Sequence, residues 1–338
     1  MWLPFRCWKL CVSAALILSL SNPASARGED TVLMAYGGHN ETIGPYWVAI
    51  DRGLYQKHGI DARLLQVRNA QISLAALVSG EVPIFLPSIA NVLSGVSAGA
   101  KIACAAFPIK GVSRELVVRK DIDSLAALRG KTIGVQSIGG GFWLQTMIAL
   151  DQLGIDPDKY DLKMRILGDT ATVTQALGSG GVDATVIPYS YSEAAKRAGA
   201  NVLADIGKLT FPYQGTTLCY LQESSSSAPD QVSRLLRGLA DAVVLIHDPS
   251  AKAEIIEILR KAFRFPKPQD AEASYKVLTI MATLDMTPDP NAWKLVQKIT
   301  ARINPKVAQV ELSHVLNSAP MRSLEESGFL AEARKKLR

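Results

Sequence analysis

The chain has 338 residues, 48% hydrophobic and 20% charged, with a formal charge of +6, 25 Gly, 17 Pro and four Cys. An apolar fraction this ordinary excludes a disordered chain, four Cys are too sparse for a disulfide-built miniprotein, and the length admits two domains with a core each. The positive balance forms no stripe: no Lys/Arg block exceeds two residues before Arg334-Lys335-Lys336, so no nucleic-acid partner is expected.

Residues 1–26 read as a cleavable export signal. Arg6 and Lys9 precede the short apolar run LCVSAALILSL, and Ala24-Ser25-Ala26 supplies small residues for cleavage after Ala26. The run is shorter than the roughly 20 residues a membrane span needs, and Asn22-Pro23 follows at once. Neither Cys7 nor Cys11 sits in a lipobox-like pattern. The expectation is an exported protein without stable membrane insertion. Cys104 and Cys219 remain, each in a strand-like run (KIACAAF, TTLCYL), as buried small residues or as a disulfide.

The mature chain alternates strands and helices, which predicts an α/β fold. Strands are expected at Thr31–Tyr36, Asp61–Val67, Val82–Leu86, Lys101–Phe107 and Glu115–Arg119. A helix runs through Tyr46 to Ile50 and stops at Gly53, a second is capped by Asn69, and a third covers Ile89–Ala98. The programme then restarts with strands at Lys131–Gln136, Leu162–Leu167, Val182–Ile187, Asn201–Ile206 and Thr216–Leu221. Its helices are Phe142–Leu153, Thr170–Leu177 and Ser192–Ala198. The remainder is helical. Val232, Leu235, Leu236, Leu239, Val243 and Ile246 form one apolar face after Ser227 and Pro229, Asp248-Pro249-Ser250 starts the next helix, and further helices follow near 269–283 and 289–302.

An internal repeat points to two similar halves. ALVSGEV at Ala76–Val82 matches ALGSGGV at Ala176–Val182, and Leu86-Pro87 has its counterpart in Ile187-Pro188. Gly59-Ile60-Asp61 matches Gly154-Ile155-Asp156 upstream.

Ligands of parallel α/β sheets bind beyond the carboxyl ends of the strands. The loops there are Tyr36–Asn40, Leu86–Asn91, Gln136–Trp143, Gly168–Thr172 and Ile187–Tyr191, rich in Gly, Ser, Thr and aromatics and without Arg or Lys. The candidate ligand-binding residues are Tyr36, Gly38, His39, Ser88, Ser137, Gly139, Gly140, Phe142, Thr170 and Tyr189 from these loops, Tyr46 from the first helix and Thr216 from the returning segment. Ser137–Gly141 leads into a helix whose free N–H groups suit an anion. It is neither a Walker loop nor a dinucleotide fingerprint. The aromatics suit pocket walls. Four scattered His without paired spacing give no metal site, no G-x-S-x-G nucleophile elbow occurs, and no cofactor is expected.

Gly44–Ile60 (GPYWVAIDRGLYQKHGI) resembles the pattern P-x-x-x-A-x-x-x-G-[LF]-[FY]-x-K-x-G-[IL]. Leu74–Val82 resembles L-x-x-G-x-V-D, with Pro83 in place of the acid, and Leu128–Val135 (LRGKTIGV) resembles L-K-G-K-x-I-G-V. Together they resemble the solute-binding proteins of nitrate, sulfonate, taurine and thiamine-pyrimidine uptake, over Thr31 to Phe263. The resemblance implies a two-lobe periplasmic binding protein of type II-like plan, each lobe a mainly parallel sheet flanked by helices, with a helical C-terminal extension. Lobe 1 would be 31–112 plus 215–338 and lobe 2 would be 113–214, with crossings near Gly111–Glu115 and Phe211–Thr216. A small organic solute would sit between the lobes of a monomer that docks on an ABC permease with its ATPase. The Arg-free loops argue against a ligand clamped by cationic side chains. An enzyme on the same scaffold, of desulfinase or thiamine-pyrimidine synthesis type, and a periplasmic ligand sensor stay as alternatives.

Overall fold

The computed structural model describes residues 30–67, 70–224 and 228–337. The export signal, the Asn69 cap and Ser227 lie outside the described residues. In β1 (Asp30–Tyr36), Val32, Met34, Ala35 and Tyr36 are buried. A strand with so many shielded residues must lie inside a sheet, and β1 pairs in parallel on both sides.

The first half continues with α1 (Gly44–Asp51), β2 (Ile60–Gln66), α2 (Ala70–Val78), β3 (Ile84–Phe85), α3 (Ile89–Ser97) and β4 (Ile102–Ala106). The second comprises β5 (Arg114–Val118), β6 (Thr132–Val135), α4 (Gly141–Gln152), β7 (Lys163–Ile166), α5 (Thr170–Gly178), β8 (Ala184–Pro188), α6 (Tyr189–Arg197) and β9 (Asn201–Asp205). The chain then returns through β10 (Leu218–Leu221) to α7 (Ala228–Ile246), α8 (Lys252–Ala262), α9 (Pro268–Met281), α10 (Pro290–Thr300), α11 (Ala319–Glu326) and α12 (Phe329–Lys335). The sheet orders are β2-β1-β3-β10-β4 and β7-β6-β8-β5-β9. Each sheet has one antiparallel strand in fourth place, β10 or β5, and it is the strand that arrives from the other half.

The two halves repeat down to single hydrogen bonds. Val82 N donates to the Ala76 carbonyl at 3.2 Å, and Val182 N to that of Ala176 at 3.3 Å. Gly80 and Gly180, at φ +78° and +77°, end the two helices in the left-handed conformation that costs glycine least. The match of Gly59-Ile60 with Gly154-Ile155 does not extend to the strands. β2 begins at Ile60, but Asp156 accepts from the N–H groups of Asp158 and Lys159, which inserts a turn before β7.

The chain crosses between the sheets twice, and the crossings lie side by side. Gly111 N donates to the Tyr213 carbonyl at 3.0 Å, and Gly215 N to that of Ile109 at 2.9 Å. Beside this crossing, Cys219 faces Cys104 across the β10–β4 pair, and the two form a disulfide.

The six apolar residues expected on one face of α7 are all fully buried, and that face packs on α1. α6 starts at Tyr189 rather than Ser192, because Pro188 ends β8 and caps the helix directly. Ile187–Tyr191 is therefore a strand end and a first helical turn, not a loop. No helix among the described residues is long and apolar enough to cross a membrane.

Candidate functional site

Between the two sheets lies a cavity of about 80 Å³. One wall comes from the first sheet and the returning segment: Gly38, Thr42, Ser88, Asn91 and Thr216. The facing wall comes from the second: Arg114, Ser137, Gly140, Phe142 and Gln145. Ser88 is the N-cap of α3 and Gly140 the N-cap of α4, so two helix N-termini, with their free N–H groups, meet here from opposite sides. A Cβ at Gly141 would lie 2.9 Å from Ser88 Cβ, so the helix ends touch only because Gly141 has no side chain.

Arg114 opens β5 and is 5% exposed. Its Nε donates to Gln145 Oε1, Nη1 donates to the Val186 carbonyl at 3.0 Å, and the guanidinium lies 4.6 Å from the Phe142 ring centroid. Gln145 Nε2 in turn donates to Tyr213 Oη at 2.8 Å. Nε and Nη1 lie on opposite edges of the guanidinium, so these two bonds fix its plane. Burial lowers the guanidinium pKa to about 10, opposed by the Glu41 and Tyr213 side chains, so the group stays charged at neutral pH.

Glu41 is the buried counter-charge. It accepts from Ser113 Oγ and Ser190 Oγ, each at 3.1 Å, and so joins the first half to α6. Burial raises its pKa, opposed by its backbone N–H, Arg114 and both serines. At the opposite wall Thr42 Oγ1 donates to Asn40 Oδ1 at 2.8 Å, which leaves Thr216 Oγ1 as donor in the 2.9 Å bond to Thr42.

A second chamber of about 500 Å³ shares Gly37, Gln136 and Gly168 with the first and is lined further by His39 and Thr170. Gln136 Nε2 donates to Thr170 Oγ1 at 2.6 Å. Burial lowers the pKa of His39, and its Nδ1 bonds Tyr36 Oη at 3.0 Å. A larger open groove of about 1010 Å³ between α5 and α6 shares no residue with the inner cavity.

The expected residues therefore separate. Gly38, Ser88, Ser137, Gly140, Phe142 and Thr216 line the inner cavity, and His39 and Thr170 the outer chamber. Tyr36 lies behind His39, and Gly139, at φ +76°, packs toward Ile303. Tyr46 is fully buried in the core of the first half, because its helix is covered by α7 and α8. Tyr189 faces a groove formed with α9 and donates to Asp205, because the first turn of α6 carries it away from the cleft. The expectation of a cleft without cationic side chains is corrected by Arg114. A charged pair, Arg114-Glu115, at the head of an apolar strand was the available signal. No group of three or more His, Cys, Asp or Glu suited to a metal occurs among the described residues.

A family model described as NMT1/THI5 like matches residues 40–252. A protein of Brucella abortus (strain 2308) named as a binding protein is 31% identical over 153 residues, 44% of this chain and 46% of that relative. The chain thus aligns with about half the length of the curated relatives it matches. A solved structure from Bordetella bronchiseptica RB50 has a TM-score of 0.75 at 19% identity, covering 89% of this chain and 98% of that one. The alkanesulfonate-binding protein SsuA from Xanthomonas axonopodis pv. citri, bound to MOPS, has a TM-score of 0.68 at 17% identity, covering 86% and 97%. These structural likenesses carry the fold.

Proposed function

The chain belongs to the NMT1/THI5-like family, and from that premise we propose that it is the exported solute-binding component of an ABC importer, with a small organic anion as ligand. Arg114 carries this reading: a buried guanidinium whose plane is fixed through Nε and Nη1, in a cavity where two helix N-termini converge. A sulfonate or carboxylate there would meet a charge-assisted donor and the N–H groups of α3 and α4. Lobe 1 is 31–112 plus 215–338 and lobe 2 is 113–214. The lobes close on the solute in the periplasm, and the loaded monomer delivers it to a membrane permease and its ATPase.

Titration calorimetry with methanesulfonate, benzenesulfonate, acetate and benzoate tests this. At least one anion binds the wild type. Arg114→Lys keeps the charge but loses the fork and weakens that anion by roughly tenfold. Absence of binding across the panel, or an Arg114→Lys protein that binds as the wild type does, overturns the reading.

A further inference from the structure

The outer chamber has a chemistry of its own. Tyr36, His39, Phe263, Phe265 and Tyr191 form a chain of ring contacts, with centroids 5.9, 5.1, 5.7 and 6.4 Å apart in that order. The chain runs from β1, through the turn after α8, to α6 of the other half. His39, Phe263 and Tyr191 line the chamber. Between the two phenylalanines stands Arg264, which also lines it.

Arg264 has φ +54°. Apart from Asp161, every other residue in the left-handed region among the described residues is Gly. A long side chain in this conformation is disfavoured, and such strain collects at functional positions. The residue is exposed, whereas Phe263 and Phe265 are buried at 6% and 7% exposure. Arg264 forms no ion pair among the described residues.

The chamber's other charge is Asp169, the N-cap of α5, which accepts from Thr172 N and Thr172 Oγ1 at 2.8 Å each. His39 is held toward its neutral form by burial. One cation and one anion thus face the chamber, so its lining carries no net charge that would select a second charged group. Rings on several sides favour a planar, uncharged one.

We infer that the outer chamber is a second subsite that takes the aromatic ring of a ligand whose anionic head lies at Arg114, with Arg264 placed over the ring. This rests on the anion reading of the inner cavity. Closing the lobes would complete the subsite, since Tyr191 comes from one half and His39, Phe263 and Arg264 from the other.

The test compares anions that share a head group: benzenesulfonate with methanesulfonate, and benzoate with acetate. The wild type prefers the aromatic member of a pair by about tenfold, the scale of a cation–π contact with ring burial. Arg264→Gly raises the ligand-free melting temperature by about 1–3 °C, because glycine relieves the strain. It lowers the aromatic preference to about threefold or less, while the methyl anions change by less than about twofold. Equal binding of both members of the pair by the wild type overturns the subsite alone. An Arg264→Gly protein that weakens both members alike, or melts lower, overturns the role of Arg264. If neither member binds, the anion reading fails and the subsite falls with it.

Discussion

The contact between Gly141 and Ser88 permits a test that separates closure from folding. Gly141→Ala adds one methyl group to the first residue of α4, where the backbone needs no glycine. Within its own lobe the substitution is neutral or favourable, because alanine has the better helix propensity. Against the other lobe it is not. The new Cβ would stand 2.9 Å from Ser88 Cβ and 3.1 Å from Ser88 Oγ, whereas carbon atoms rest at about 3.5–4.0 Å. The helix ends must part by up to about 1 Å, at an overpacking cost of about 1–3 kcal/mol that falls on the apposed state alone. Calorimetry on the strongest anion of the panel therefore reads a weakening of roughly 5- to 150-fold, with an unchanged or higher melting temperature in the free protein. Ser88→Gly removes the atoms that clash and costs an N-cap only a few tenths of a kcal/mol, so the double variant recovers much of the loss, and the coupling measures the contact. Wild-type affinity in Gly141→Ala, or a matching loss of melting temperature, would refute the reasoning.

The remaining predictions concern charge and covalent constraint. Glu41 offsets Arg114, and burial raises its pKa. Sulfonate affinity should therefore fall as pH rises from below the ordinary carboxyl range through the raised value, and Glu41→Gln should flatten the profile, by on the order of 1–2 kcal/mol for unit charges several ångströms apart at an effective dielectric near 20. A Glu41→Gln profile parallel to wild type would exclude this. The folded state binds the proton at higher pH than the unfolded chain, so Glu41 lowers stability across the same window as pH rises; urea melts of both proteins at several pH values read that slope. The Cys104–Cys219 bond spans 115 positions and encloses the whole segment from β5 to β9 that builds the second sheet. Replacing both cysteines by alanine should lower stability by about 2–5 kcal/mol, read by urea melts of the oxidised wild type and the variant; equal midpoints would refute the constraint.

Much of the architecture was legible because it rests on local rules. Gly80 and Gly180 stop helices in the same way, and the buried Val82 and Val182 begin the same run into a strand. Loops at the carboxyl ends of parallel strands supplied Gly38, Ser88, Ser137, Gly140 and Phe142 for the cavity. Arg114 escaped that search for a topological reason. β5 runs antiparallel, and Arg114 pairs with Pro188 at the carboxyl end of β8. The amino end of β5 therefore reaches the edge where the parallel strands of the sheet end, and no inspection of post-strand loops finds it. Phe263 and Arg264 were illegible for a different reason: they come from a helical turn whose docking over the cleft depends on contacts far along the chain. Tyr46 misled because helices α7 and α8, distant in sequence, bury it.

The same topology constrains how a ligand can act on the molecule. In each sheet the antiparallel strand continues directly from a crossing segment, so Arg114 stands immediately beyond Ser113 of the first crossing, and Thr216 lies in the second. Groups beside a crossing move least when lobes rotate about it. Glu41 bonds there, to Ser113 and Ser190. Ser88 and Gly141, by contrast, belong to the facing ends of α3 and α4, and their contact exists only while those ends are apposed. An anion at Arg114 that also reaches the N–H groups of α3 gains that second set of contacts only in the apposed arrangement, so its affinity includes the free energy of closing. A ligand with equal affinity for open and closed forms would shift nothing. On the proposed anion reading, the interactions that favour closing therefore come from the wall opposite Arg114, from the N–H groups of α3 and from Asn91, Thr42 and Thr216, rather than from the guanidinium itself.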